Sequence, residues 1–233
     1  MKVNPDLTII IPTLNEERFI ESLIDHLNKQ AKNPSKLEVL VVDGGSKDAT
    51  QTIANKTRVK VLKSAKGRAK QQNFGAKLAM APILYFLHAD TLPPKNFDAH
   101  ILKAIEYGFE SGCFRMKFDT KNIVLRFFAW LTRFNHILCR GGDQSLYITK
   151  EKFNQLGGFD ESYFIYEDSE FIRRIYAETQ FKIHKEPVVT STRKYREKGW
   201  LKVQYHFAMI HLKNYLGQGP EDLYLYYKKY LLN

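Results

Sequence analysis

Four apolar runs cut the first hundred residues into strand-sized blocks: 7–12 (LTIIIP), 37–42 (LEVLVV), 59–62 and 83–87. None alternates with polar residues, and an unbroken run of this length reads as a strand buried on both faces, as in the middle of a parallel sheet. Helical spacing fills the gaps: Phe19, Ile20, Leu23, Ile24 and Leu27 on one stripe up to residue 30, then 50–56, then 69–80, whose first turn carries Arg68, Lys70 and Gln71. Alternating strands and helices predict an α/β fold, a doubly wound and mostly parallel sheet of right-handed βαβ units. Asp43 ends the second strand and Asp90 lies just past the fourth, in LYFLHADT, before Pro93 and Pro94 stop the strand. Ligands of open α/β sheets bind at that carboxyl edge. The alternative for Asp90, capping the helix expected at 97–107, competes with Asn96 and Asp98, which can cap it unaided. Thr13 and Glu16 fit a capping box for the first helix.

Beyond residue 108 the pattern changes. Residues 111–118 alternate, as a strand facing two environments does. Over 122–140, Arg126, Ala129, Arg133, His136 and Arg140 form a narrow polar stripe on an otherwise apolar, aromatic helix. Such a helix either lies in a membrane interface or packs on its own domain and shows only the arginines. A loop at 140–144 (RGGDQ), a short strand at 145–149 and a turn at 157–161 precede a helix starting at Glu167 and Asp168, with Phe171, Ile172 and Ile175 inward. Strands at 181–184 and 188–192 follow, then the basic residues Arg193, Lys194, Arg196 and Lys198. A helical stripe of Leu201, Tyr205, Ala208, Leu212 and Tyr215 comes next, and Pro220, Glu221 and Asp222 open a last helix. No repeat or linker interrupts the chain. The expected division is one domain over 1–195, with halves 1–108 and 109–195, and a helical C-terminal extension over 196–233.

At 233 residues the chain has room for one such domain. Cys113 and Cys139 are too few for a disulfide framework or a zinc site. No charge-free apolar run reaches spanning length and the first residues, MKVNPDLT, lack the shape of a leader, so the expected location is the cytoplasm. The net charge of +11 calls for an anionic partner: nucleic acid, an acidic membrane or a phosphorylated substrate.

Three acids decide among these. Asp43 and Asp90 at strand ends and Asp168 at a helix start would repel phosphate unless a cation intervened, which weighs against nucleic acid as the partner. A strand-end carboxylate suits a nucleoside hydroxyl or base edge. One beside bound phosphate suits a divalent cation held by one or two oxygens. Arg68, opening a helix after Gly67, suits a phosphate gripped in a fork. Together they describe a nucleotide diphosphate site. A nucleotidyltransferase shares those parts, but the first loop is not of its G-x-G-x-R type. No G-x-G-x-x-G follows the first strand, which argues against a dinucleotide oxidoreductase.

The ordered set P-T-L-N-E (12–16), V-D-G-G-S-K-D-A-T (42–50), G-R-A-K-Q-Q-N-F-G-A (67–76), H-A-D-T (88–91), G-G-F-D-E (157–161) and E-D (167–168) resembles family 2 glycosyltransferases over residues 7–192. R-G-G-D-Q at 140–144 and the basic stretch near Arg193 are similar to a bacterial subgroup with H-A-D in place of the D-x-D motif. The resemblance implies a GT-A fold and inverting transfer from a UDP- or GDP-linked sugar to an acceptor hydroxyl; a lipid-linked or membrane-proximal acceptor is expected only from attachment to a membrane surface. It implies that Pro12, Thr13 and Glu16 line the nucleoside pocket, with Asp43 and Gly44 at the base or ribose, and that Arg68 and Arg193 meet base or phosphates. Asp90 becomes the ligand of a divalent cation, Mn²⁺ or Mg²⁺. His88 stands at the motif's first acid and either ligates Mn²⁺ or contacts ribose. Asp168 becomes the base, with Glu167 beside it, and Asp143 and Gln144 either hold sugar hydroxyls or form a polar turn. An anionic membrane surface is the further partner expected from the 122–140 segment and the basic, tyrosine-rich tail.

Overall fold

The computed structural model describes residues 4–57 and 59–232. The expectation resting on residues 1–3 and the side chain of Lys194 fall outside that description. Strands β1 (Leu7–Thr13), β2 (Leu37–Asp43), β3 (Lys60–Lys63) and β4 (Ile83–Phe86) pair in parallel in the spatial order β3-β2-β1-β4. They alternate with α1 (Ile20–Gln30), α2 (Thr50–Asn55) and α3 (Arg68–Leu78), as the apolar runs predict. Each strand divides its side chains between two cores. Leu7, Ile9, Ile11, Val41 and Tyr85 pack with α1 and with α4 (Phe97–Glu106). Ile10, Leu40, Val42, Leu84 and Phe86 pack on the other face. Both faces are covered, so the runs are apolar except near their starts, where Thr8 donates to Glu38 Oε2 at 2.6 Å.

The capping box is not formed. Thr13 ends β1, and its hydroxyl donates to the Val42 carbonyl at 3.5 Å and to Asp43 Oδ2 at 3.3 Å. Helix α1 starts only at Ile20, because the intervening segment is spent on hydrogen bonds to the loop after β2.

The second half extends the sheet. Strands β5 (Thr91–Leu92), β6 (Ser111–Phe118), β7 (Leu146–Thr149) and β8 (Phe181–Thr190) complete the order β3-β2-β1-β4-β7-β6-β8-β5. β7 runs antiparallel to β4 and β6, whereas β8 is parallel to β6. The two strands expected at 181–192 are one, broken in register. Phe114 faces His184 but Arg115 faces Pro187, so Lys185 and Glu186 bulge out just before a proline, which lacks the N–H a regular ladder would use. Helices α5 (Ile123–Leu131), α6 (Lys150–Gln155) and α7 (Glu167–Glu178) complete this half, α6 and α7 adding Phe153, Phe171, Ile172 and Ile175 to the second core.

The helix expected over 122–140 stops at Leu131. Thr132 Oγ1 donates to the Ala129 carbonyl at 2.6 Å and accepts the Met116 N–H at 3.0 Å, tying the chain to β6. Arg140 therefore leaves the polar stripe. It is only 5% exposed, and its guanidinium donates to the carbonyls of Thr132 and Phe134 and to Gln144 Oε1. One edge of α5, Leu125 and Ala129, packs on Phe118. Ile123, Phe127, Phe128, Trp130, Phe134 and Leu138 stay exposed.

Helices α8 (Arg193–Lys198), α9 (Trp200–Tyr215) and α10 (Pro220–Tyr227), with a π turn over Lys228–Leu232, form a small core of their own. Val203, Ile210, Leu223 and Leu231 meet there against Tyr163, Ile165, Tyr166 and Tyr195. The stripe expected to organise α9 lies mostly outside this core, since Leu201, Tyr205, Leu212 and Tyr215 are exposed. Among the described residues no helix is long and apolar enough to cross a membrane.

Gly75 marks the closest approach of α3 to the sheet, where a Cβ would stand 2.6 Å from Ile10 Cγ2 and 3.1 Å from Val42 Cγ2. Gly75→Ala should therefore destabilise the fold by about 1–3 kcal/mol through overpacking. Urea unfolding would show this as a lower midpoint at unchanged slope.

Candidate active site

The loops after β1 and β2 are laced together before any ligand is considered. The Asn15 N–H donates to Ser46 Oγ at 2.9 Å, the Lys47 N–H to Asn15 Oδ1 at 2.8 Å, and the Glu16 N–H to Thr50 Oγ1 at 2.8 Å. Asp43 is the hub. Only 1% exposed, it accepts from the N–H groups of Gly45 and Ser46 at 2.9 Å, from Gln51 Nε2 at 2.8 Å, and from the hydroxyls of Ser46 and Thr13. Burial pushes its carboxyl up, but these bonds outweigh it and the pKa falls below the ordinary 3.8. Gln71 adds a clamp, its Nε2 donating to the carbonyls of Thr13 at 2.8 Å and Val42 at 2.7 Å. A Cβ on Gly44 would lie 2.9 Å from that side chain, so the motif's glycine is needed there. In this structure Pro12, Thr13, Asp43 and Gly44 shape the donor-side loops and do not line the cavity beside them.

That cavity, about 390 Å³, opens at the carboxyl ends of the strands. It gathers Glu16, Arg68, His88, Asp90, Asp143, Asp168 and Arg193 from six separate places in the sequence. Arg68 Nη1 lies 3.0 Å from Glu167 Oε1 and 3.4 Å from Asp168 Oδ2. His88 sits between Asp143, 3.6 Å from Nδ1, and Asp168, 3.9 Å from Nε2. Arg193 Nη2 reaches Glu16 Oε2 at 3.3 Å. The Asp90 carbonyl accepts from the Ser191 N–H at 3.1 Å, which fixes the start of β5 against the end of β8. Gly142 leaves the space that Asp168 fills, because a Cβ there would overlap its carboxylate. Asn15, Ser145 and Tyr166, with φ of 58°, 63° and 72°, hold left-handed backbone next to Glu16, Gln144 and Glu167. Such strain persists where surrounding contacts over-determine it.

The charges are unequal in character. Burial raises the pKa of Asp90, and Asp143 adds to that while His88 and Arg193 oppose it. Burial likewise raises Glu16 against the pull of Arg193. For His88, burial and Arg68 push the pKa down, but Asp143 and Asp168 together push harder and it ends above 6.5. Arg68 stays charged, held so chiefly by Glu167.

Two further expected site residues, besides Pro12, Thr13, Asp43 and Gly44, lie outside the cavity. Glu167 is fully buried, outside the cavity, with burial raising its carboxyl against Arg68; it anchors Arg68 and does not face the cleft. Gln144 also points inward, accepting from Arg140 Nη1 and donating to the Cys139 carbonyl, both at 2.7 Å, so it belongs to the polar turn and does not reach a sugar. The opposite wall was missed from sequence. Tyr166, Tyr195, Gln204, Phe207, His211 and Tyr227 close it, with Tyr166 Oη 3.1 Å from His211 Nδ1. Four of these come from α9 and α10, whose periodicity advertises only an apolar surface.

The donor set suits a divalent cation. Asp90 and Asp143 offer hard carboxylate oxygens at the cavity, and the burial that chiefly lifts Asp90, with the repulsion of Asp143 added, is what a bound cation would offset. Carboxylate oxygens with one imidazole nearby fit Mn²⁺ or Mg²⁺.

An open α/β sheet, parallel at one end and mixed at the other, with this acidic and basic cleft across its carboxyl edge, has the GT-A glycosyltransferase architecture. Solved structures show it: the mannosyltransferase PcManGT of Pyrobaculum calidifontis, in complex with GDP-Man and Mn²⁺, superposes with a TM-score of 0.70 over 99% of this chain and 69% of its own, at 19% identity. TarS of S. aureus in complex with UDP-GlcNAc gives 0.67 over 80% and 58%, at 21% identity. The sequence model of Glycosyl transferase family 2 matches residues 8–181, and the chain belongs to that family. The Validoxylamine A glucosyltransferase of Streptomyces hygroscopicus subsp. limoneus is 33% identical over 107 residues, 43% of this chain and 24% of that protein. Glycosyltransferase AglE of Haloferax volcanii is 32% identical over 100 residues, 40% and 33% respectively. The matched stretch spans about a quarter to a third of these relatives.

The Asp43 hub sets a pH signature. Asp43→Asn should cost about 1–3 kcal/mol at neutral pH, as expected for loss of a hydrogen-bonded charge. A carboxyl with a lowered folded pKa stabilises above its unfolded value of 3.8 and loses that contribution as pH falls through the folded value. Thermal melts from pH 7 to pH 2 should show the gap between the two proteins narrowing only below about pH 4.

Proposed function

We propose that the chain is an inverting glycosyltransferase that moves a sugar from a nucleoside diphosphate to an acceptor hydroxyl. The observation that carries this is the convergence of Asp90, Asp168, Arg68 and Arg193 on one cavity from four separate elements. The donor lies across the loops of residues 1–108, with the nucleoside beside Glu16 and the laced turn organised by Asp43. Arg68 and Arg193 bind the diphosphate, Arg193 exchanging Glu16 for phosphate oxygens. Asp90, with Asp143 near, would hold a divalent cation, which when bound would supply charge stabilisation to a diphosphate leaving group. The complexes of the neighbouring structures with GDP-Man and Mn²⁺ and with UDP-GlcNAc support a nucleotide sugar as the donor, UDP- or GDP-linked.

The acceptor enters from the side of residues 109–195 and the C-terminal helices. Its hydroxyl attacks the anomeric carbon on the face opposite the leaving group, so configuration inverts as the C–O bond to phosphate breaks. Asp168 takes the proton that this oxygen loses. Arg68 at 3.4 Å and the space left by Gly142 hold the carboxylate in place for that role. Asp168→Asn keeps the size and loses the base: kcat should fall by about 10²-fold or more with donor affinity within a few fold. Donor titration by thermal shift, alongside nucleoside diphosphate release kinetics, separates the two effects. Equal loss of binding with saturated turnover intact would reassign Asp168 to donor recognition.

The partner surface is carried by a second observation. The arc of Ile123, Phe127, Phe128, Trp130, Phe134 and Leu138 is solvent-exposed beside Arg126 and Arg133, the latter stacked 4.7 Å from the Trp130 ring. Aromatic and basic groups together suit an anionic bilayer, where each cation contributes on the order of 1 kcal/mol. The enzyme is accordingly read as cytoplasmic, peripheral at the inner face of the membrane, with a lipid-linked acceptor. It should sediment with anionic vesicles at low salt, bind neutral ones less, and release as salt screens the charges. Phe127→Ser with Trp130→Ser should abolish sedimentation without lowering the melting temperature.

A further inference from the structure

A second cluster of ligating side chains lies away from the cleft. His100 on α4 and His184 and Glu186 on β8 each present one donor atom, and the three atoms all lie within 4.8 Å of one another. His184 is buried and the other two are half-buried. The break in register builds the cluster. In a regular strand His184 and Glu186 would each face a partner on β6; here Lys185 and Glu186 bulge out of the ladder, and Glu186 turns toward the helix that carries His100. Bulges commonly re-aim a side chain in this manner.

The surroundings order one ligand and leave the others open. The His184 ring stacks on Phe114 at 4.7 Å and an interplanar angle of 27°. Its Nε2 lies 3.1 Å from Tyr147 Oη, the outer partner that metal-bound imidazoles characteristically have on their second nitrogen. Tyr147 reaches this position because residue 112 is glycine; a Cβ there would overlap the phenol. Among the described residues, the His100 ring and the Glu186 carboxylate have no hydrogen-bond or ion-pair partner.

We propose that His100, His184 and Glu186 form a zinc site that pins α4 to the bulge of β8. Two imidazoles and one carboxylate favour Zn²⁺ over the hard cations suited to the cleft, with water at the fourth position. Small side-chain rotations bring the donors from their present separation to bonds of about 2.0–2.2 Å. His184 precedes Thr190, a residue of the cleft, by six positions of strand, roughly 15–20 Å at strand rise, so the ion does not touch the donor.

The test uses the 233-residue chain, stripped with EDTA and titrated with Zn²⁺ against a chromophoric chelator, with thermal melts in parallel. One equivalent should bind and raise the melting temperature. His100→Gln and Glu186→Gln change half-buried positions that the fold tolerates, and each should weaken binding by at least about 10-fold, since even outer partners contribute that much. Tyr147→Phe should weaken it too, whereas Asp90→Asn should leave it unchanged. Co²⁺ in place of Zn²⁺ should give visible absorption bands that His100→Gln alters. Absence of Zn²⁺ binding at micromolar concentration would overturn the proposal, as would wild-type binding by both ligand variants or loss in Asp90→Asn alone.

Discussion

Arg68 and the Glu167–Asp168 step are the contact on which the cleft depends. Arg68 opens α3 in the first half of the chain, and the two acids open α7 in the second. Glu167 is wholly buried, and a carboxylate removed from water without a counter-charge costs several kcal/mol. The guanidinium 3.0 Å away and the positive end of α7 are what make that burial tolerable. A buried pair of this kind contributes little net stability; what it fixes is orientation. With Glu167 anchored, the next residue, Asp168, is turned into the cavity, and the left-handed Tyr166 before it is directed toward His211.

Most of the parallel half was legible because burial on two faces leaves a strong trace. Runs such as LTIIIP and LEVLVV admit few other readings, and the acids after them fall where strand ends must be. Most of the failures share a cause: a side chain bonded outside its own element, which periodicity does not register. Thr132 ends α5 through Ala129 and Met116, although the apolar pattern runs on past it. Arg140 has the spacing of a surface stripe and the surroundings of a core residue. Thr13 and Glu16 have capping-box spacing, yet one completes a strand and the other pairs with Arg193, 177 positions along. The two-residue strand β5 carries too few residues for any period.

At the site, residue types were easier to foresee than directions. Asp90, Asp143, Asp168, Arg68 and Arg193 reach one cavity, but Glu167 and Gln144 face inward and Asp43 serves its own loop. The chain's positive excess also has a local counterweight. Asp90, Asp143, Asp168 and Glu16 gather at the cavity, so a cleft of concentrated negative charge lies within a chain whose net charge is +11.

Val203, Ile210, Leu223 and Leu231 of the C-terminal helices form a small core against Tyr163, Ile165 and Tyr166, while Tyr195 and Trp200 pack on Phe118, Leu125 and Ala129. Free-energy changes at sites that share no neighbours add independently. Substitutions on the inner faces of α9 and α10 are separate in this sense from those in the two sheet cores, whose residues they do not share, but not from changes at Tyr166, which both His211 and the small core touch. The far wall of the cavity thus rests on a small core of its own, while its floor rests on the sheet, and Tyr166 is the hinge pin between the two.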